Sequence, residues 1–318
     1  MDNPGNTPYV NFGEVLRYYR NREGLSQEQL AEGICTREYI GLIEKNKKIP
    51  TLYMISAFSN KMGINLYDAC ALIIEHNDFE THKKIMVLNE AINNHDDSRL
   101  YELANEYATL PGFSCGVPLQ CIKHALSLYY ANVLKDYEKS VAYATEGLAV
   151  SGQPDPEMKP TPLLSVTDLC LLLVKSVNLC RIRRFDEGRK YLEYLHECAR
   201  LRFTQNRYIA NRNRRFDINL FALTTFNICE FFPDDTENNL KMLEETIGDL
   251  YDYECSSMQP ELQLYRARYL YDMGDRTGAR NSFGAGYYLL ASQDSQETAD
   301  GKAREILGEE RFEALRQM

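Results

Sequence analysis

Along almost the whole chain apolar residues return every three or four positions, the period of a helix packed on one face. No stretch alternates apolar and polar residues over a strand's length. The spacing predicts a first helix over about 11–23, with Phe12, Val15, Leu16 and Tyr19 on one face. Two short helices follow within 26–45, carrying Leu30, Ala31 and Ile34, then Ile40 and Ile43. A fourth begins after Pro50, with Leu52, Ile55, Phe58 and Met62 inward, and a fifth places Leu66, Ala69, Ile73 and Ile74 together. A connecting helix over 77–94 leads into a long series, about 97–109, 118–134, 137–150, 162–182, 185–202, 207–231, 236–252, 258–273, 276–292 and 296–316, the last expected to break. The chain therefore reads as all-α.

The stops and starts around 26–45 sharpen this pattern. Ser26 and Gln29 have the spacing of a capping box. Gly33 can end the first short helix in the left-handed conformation, and Thr36 can cap the second. Turning Ile40 and Ile43 inward leaves Arg37, Glu38, Gly41 and Lys45 outward. A short helix locked against another, with a polar, long-chain outer face, is the shape that enters a DNA major groove.

Residues 11–70 resemble the lambda-repressor-like helix-turn-helix domain of the xenobiotic-response-element class. The resemblance rests on Val15-Leu16-Arg17, on Gly24-Leu25-Ser26-Gln27-Glu28-Gln29-Leu30-Ala31, on Ile40 to Lys48, on Ile49-Pro50-Thr51-Leu52 and on Met62-Gly63-Ile64. It implies a five-helix DNA-binding domain over 1–72 and a linker helix over 73–95. By resemblance Gln27 bonds a phosphate, while Arg20 and Glu44 form an internal ion pair. Arg37 suits guanine, Glu38 can accept from cytosine N4, and Tyr39 beside the Thr36 cap can touch a thymine methyl. Lys45, Asn46, Lys47 and Lys48 would approach the backbone. The same residues also fit a solvated helix start and a loose basic loop.

Three later joints share a flavour: Lys135-Asp136-Tyr137-Glu138-Lys139-Ser140, Arg184-Phe185-Asp186-Glu187-Gly188, and Met273 to Ala279. Each resembles the turn of a tetratricopeptide repeat, where an aromatic opens the second helix and a small residue three positions on lets the pair approach. The spacings are not a clean 34 residues, and Arg276 replaces the third aromatic.

Charge changes the picture of the head. Residues 1–76 hold 8 Lys+Arg and 9 Asp+Glu, leaving 28 and 37 of the chain's 36 and 46 for the remainder. A near-neutral reader on an acidic body binds DNA weakly as one copy, so a dimer reading two half-sites is expected. The nine cysteines are scattered without a Cys-x-x-Cys pair, and the start of the chain lacks signal-peptide regions. The five histidines show no metal spacing, and no HExxH, phosphate loop or nucleophile elbow appears. A cytoplasmic protein that is not an enzyme, with no cofactor, metal or membrane span, is expected.

A lambda-repressor-like head on a tetratricopeptide-like body resembles the Rgg, NprR, PlcR and PrgX (RRNPP) family of peptide-responsive regulators. What the resemblance implies is a homodimer whose body, residues 96–318, winds as a right-handed superhelix and holds a short signalling peptide in its concave face. Asn132, Asn178 and Asn227 lie in first helices of pairs and could clamp a peptide backbone, since an amide side chain both donates and accepts. Arg207, Asn211 and Arg214 share a helix face that could take a carboxylate. Polar interruptions of repeat helices and a solvated basic face are the plainer readings. The rival function is a regulator whose body only dimerises or docks another protein.

Overall fold

The computed structural model describes residues 12–64, 66, 79–152, 154–205, 214–251, 257–293 and 295–317, and among them every regular element is helical. The first four helices are α1 (Phe12–Arg22), α2 (Gln27–Ala31), α3 (Arg37–Glu44) and α4 (Leu52–Met62). Then come α5 (Phe79–Asn93), α6 (Asp97–Ala108), α7 (Gly116–Asn132), α8 (Tyr137–Val150), α9 (Val166–Arg181) and α10 (Phe185–Gln205). The chain finishes with α11 (Arg214–Phe231), α12 (Thr236–Tyr251), α13 (Gln259–Asp272), α14 (Arg276–Gln293), α15 (Gln296–Leu307) and α16 (Glu309–Gln317). The helix expected over 65–74 falls mostly outside the described residues.

The backbone divides into two compact units, Met1–Asp136 with Glu146–Gln153, and Tyr137–Thr145 with Pro154–Met318. In the first, Val15, Leu16, Leu30, Ile40 and Phe58 are fully buried together, and Leu66 joins them. Each such side chain contributes on the order of 1.5–3 kcal/mol of burial. Around this core α1 to α4 are held as a head.

In the second unit consecutive helices pair as hairpins, α9 with α10 and α13 with α14 most extensively. The joints have the expected form. Tyr137, Phe185 and Arg276 each open the following helix. The residue before each turn is left-handed: Lys135 at φ 53, Arg183 at φ 63 and Gly274 at φ 89. Arg184 N–H then donates to Leu179 O and Asp275 N–H to Leu270 O, both at 2.9 Å, closing the helix end. The small residue three positions after each helix start, Ser140, Gly188 or Ala279, is buried. A methyl group on Gly188 would lie 2.5 Å from Cys180 Sγ, so glycine sets the approach of α10 to α9.

One shift from expectation is at α9, which begins four residues later than the apolar period suggests. Ser165 caps it reciprocally with Asp168, accepting from Asp168 N–H at 3.1 Å while its own N–H donates to Asp168 Oδ2 at 3.1 Å. The expected break near the C-terminus occurs at Gly308, φ 78, between α15 and α16.

Candidate nucleic-acid interface and body surface

The helix pair is built by its caps. Ser26 Oγ accepts from Gln29 N–H at 3.0 Å and Gln29 Oε1 accepts from Ser26 N–H at 2.7 Å. Thr36 Oγ1 accepts from Tyr39 N–H at 3.2 Å, which fixes the start of α3. The first helix of the pair ends at Ala31, two residues before Gly33, whose φ of 75 turns the chain toward α3.

Beneath the pair lies a buried ionic network. Arg20 Nε and Nη2 donate to Glu44 Oε1 and Oε2 at 2.6 and 3.2 Å, and Arg20 Nη1 donates to Leu25 O at 2.6 Å. Gln27 Nε2 donates to the same carboxylate at 2.8 Å. One carboxylate therefore joins α1, α2 and α3. The internal pair implied by the sequence resemblance is present, and Gln27 is tied to it, with one amide donor engaged.

Above the network Arg37, Glu38, Lys45, Lys47 and Lys48 are exposed, and Thr36 is exposed while capping. Tyr39 is half-buried and packs against the head core. Asn46 is exposed but committed: it sits at φ 56, and its Oδ1 accepts from Gly13 N–H at 3.0 Å. The remaining exposed side chains, Arg37, Glu38, Lys45, Lys47 and Lys48, offer guanidinium, carboxylate and ammonium groups. That chemistry suits phosphates and base edges.

In the body the amide candidates divide. Asn178 is buried, with Nδ2 donating to Ser140 Oγ at 2.8 Å and Oδ1 accepting from Arg181 Nη1 at 3.0 Å. It joins α9 to the start of α8 and does not face an open surface. The polar-residue pattern pointed to a clamp because a buried amide satisfied by a small serine looks the same in sequence. Asn227 is buried and donates to Leu223 O within its own helix at 2.7 Å. Asn132 is exposed and lies 3.5 Å from Asp97 Oδ1. Arg207 and Asn211 lie outside the described residues; Arg214 opens α11, and its side chain is not described. Tyr269 is buried, accepts from Asn239 Nδ2 at 3.0 Å and donates to Cys229 O at 3.3 Å.

Asn178→Ala should therefore lower the stability of the second unit by about 1 kcal/mol, because it removes the buried hydrogen bond to Ser140 Oγ. Urea denaturation followed by circular dichroism measures this, and an unchanged midpoint would contradict it.

Different residues form the partly open face of the first helices. On α9 they are Cys170, Leu173, Val174 and Val177, and on α11 they are Phe216, Asn219, Leu223 and Phe226, all half-buried. Both sets follow one helix stripe. Sequence reading passed over them because α9 and α11 are apolar nearly all round, and such residues resemble core. The available signal was that apolar width, broader than one buried face requires.

Among the described residues no helix is long and apolar enough to cross a membrane, and no three His, Cys, Asp or Glu side chains gather as metal ligands.

The profile of a helix-turn-helix family matches residues 16–68. No curated protein matches the sequence. Among solved structures, Bacillus thuringiensis PlcR in complex with the peptide PapR7 and DNA is similar at a TM-score of 0.50 and 15% identity, over 97% of this chain and 98% of that one. The Streptococcus dysgalactiae SHP pheromone receptor Rgg2 is similar at a TM-score of 0.54 and 12% identity, over 94% and 99%. At these identities the likeness is one of fold, and it extends from the head through the helical body.

Proposed function

We propose that this chain, which has the all-helical fold of the RRNPP regulators, is a cytoplasmic transcriptional regulator. It reads duplex DNA with α3 as a homodimer and is controlled by a short linear peptide held on its helical body. The observation that carries this is the joint presence of a capped helix-turn-helix with an open polar face and a body sharing the fold of PlcR and Rgg2 over nearly its full length. PlcR was solved with a peptide and DNA, and Rgg2 is a pheromone receptor.

The half-open stripes on α9 and α11 support a ligand with aliphatic or aromatic side chains, and Asn219 offers one amide for its backbone. The near-neutral head supports a dimer, because two half-sites double the phosphate contacts available to few basic groups.

The test begins with duplexes selected from a random-sequence pool by the full-length chain. Arg37→Ala should reduce affinity for a selected duplex about ten- to a hundredfold, the discrimination of one good base contact, with helix content unchanged. Native affinity in a gel-shift titration would remove the first turn of α3 from the interface.

A further inference from the structure

The loop after α3 carries three exposed lysines, Lys45, Lys47 and Lys48, with Asn46 between them. Its backbone is closed onto α3: Asn46 N–H donates to Ile43 O and Lys47 N–H to Leu42 O, both at 2.8 Å. Asn46 is left-handed, a conformation that asparagine tolerates better than most residues. Its side chain then crosses to the first turn of α1 and accepts from Gly13 N–H, one of the donors that a helix start leaves without an internal partner.

Gly13 has no room for a side chain. A methyl group there would lie 2.2 Å from Ile43 O and 2.8 Å from Asn46 Oδ1. The start of α1 and the end of α3 thus meet backbone to backbone, and the asparagine oxygen is the latch between them. Glycine at position 46 would supply the backbone angle without the acceptor. Alanine would supply no acceptor and takes that backbone angle at a cost.

We infer that Asn46 is a positioning residue for DNA binding and not itself a base contact. Reading adenine with an amide needs its oxygen and nitrogen turned together to the base edge, and the bond from Gly13 N–H holds the oxygen against the start of α1. What the latch fixes is the direction in which Lys45, Lys47 and Lys48 leave the loop. Lysine is a flexible point charge whose contact with a phosphate depends on where its backbone is held. The inference rests on the reading of the head as a DNA binder.

A double-mutant cycle on the full-length chain tests it, using one duplex selected from a random pool by the wild type and titrated at low salt. Asn46→Gly should weaken binding about tenfold in the wild-type background and less than twofold when Lys45, Lys47 and Lys48 are all alanine. In the wild-type background it should also flatten the dependence of log affinity on log salt by about one, the loss of roughly one phosphate contact. The order of preference among duplexes should not change.

Equal losses in both backgrounds would mean that Asn46 acts independently of the lysines, or only through the stability of the head, and would overturn the inference. So would no loss in either background, or a relaxed preference at one base pair. Failure of the wild type to enrich any duplex would overturn the DNA-binding reading together with this one.

Discussion

Replacing Glu44 with alanine is expected to unfold the head. The carboxylate is buried beside an equally buried Arg20, their side chains 5% and 10% exposed, and it also holds Gln27. Removing it leaves a guanidinium with Leu25 O as its remaining described partner, in a site largely closed to water. Losing one partner of a buried pair costs about 3–5 kcal/mol, close to the whole stability of a small helical unit. The chain has no tryptophan, so the measurement is helical circular dichroism against urea. The variant should lose the amplitude of α1 to α4 before the body melts. The paired change Arg20→Met with Glu44→Leu removes both charges and should recover most of the lost stability. It should not recover DNA affinity, because Gln27 then lacks its anchor. A single Glu44→Ala chain as stable as the wild type would show that the network is incidental to the head.

The second large effect is with pH. His124 in the first unit and His196 in the second are both buried, and burial pushes each imidazole down to about 4 from its usual 6.5. His196 Nδ1 also meets the Thr224 hydroxyl at 3.1 Å. Between these values the unfolded chain takes up protons that the folded chain refuses, so stability falls as pH drops through 6.5 toward 4. At pH 5 each histidine should remove about 2 kcal/mol relative to pH 7, while most carboxylates remain ionised. Denaturation midpoints at pH 7 and pH 5 measure the loss. His196→Gln should reduce the dependence in the second unit. Equal midpoints at the two pH values in the wild type would refute the assignment.

The head was legible in the sequence to the level of single hydrogen bonds. Ser26, Gln29 and Thr36 act as the caps their spacing suggested, because capping is local chemistry written within four residues. The buried pair of Arg20 and Glu44 could be expected only by resemblance, since nothing local links positions 24 residues apart. Helix order in the body was also readable from the apolar period, and the late start of α9 yielded to the cap at Ser165.

The body's surface was the hard part. A polar residue in an apolar helix marks either a ligand contact or a buried polar bridge, and the period is the same for both. Asn178 took the second role through Ser140, which is 38 residues away and unremarkable in sequence. Conversely, Leu173 and Phe226 look like core and lie half-open, because how a first helix is covered depends on the neighbouring pair, not on its own residues. Asn46 shows a third case. Its residue type suggested DNA, and its bond to Gly13 reassigns its oxygen to the architecture of the head.

The joints of the body bear on how such proteins diverge. Each joint needs one left-handed backbone position and one small residue, and the structure meets the first need with lysine, arginine or glycine and the second with serine, glycine or alanine. Such a specification is nearly silent in an alphabet of twenty letters. Mutational drift can overwrite almost every residue of a repeat while the turn survives. It also means that the open faces of the first helices are free to change, uncoupled from the joints that hold those faces in place.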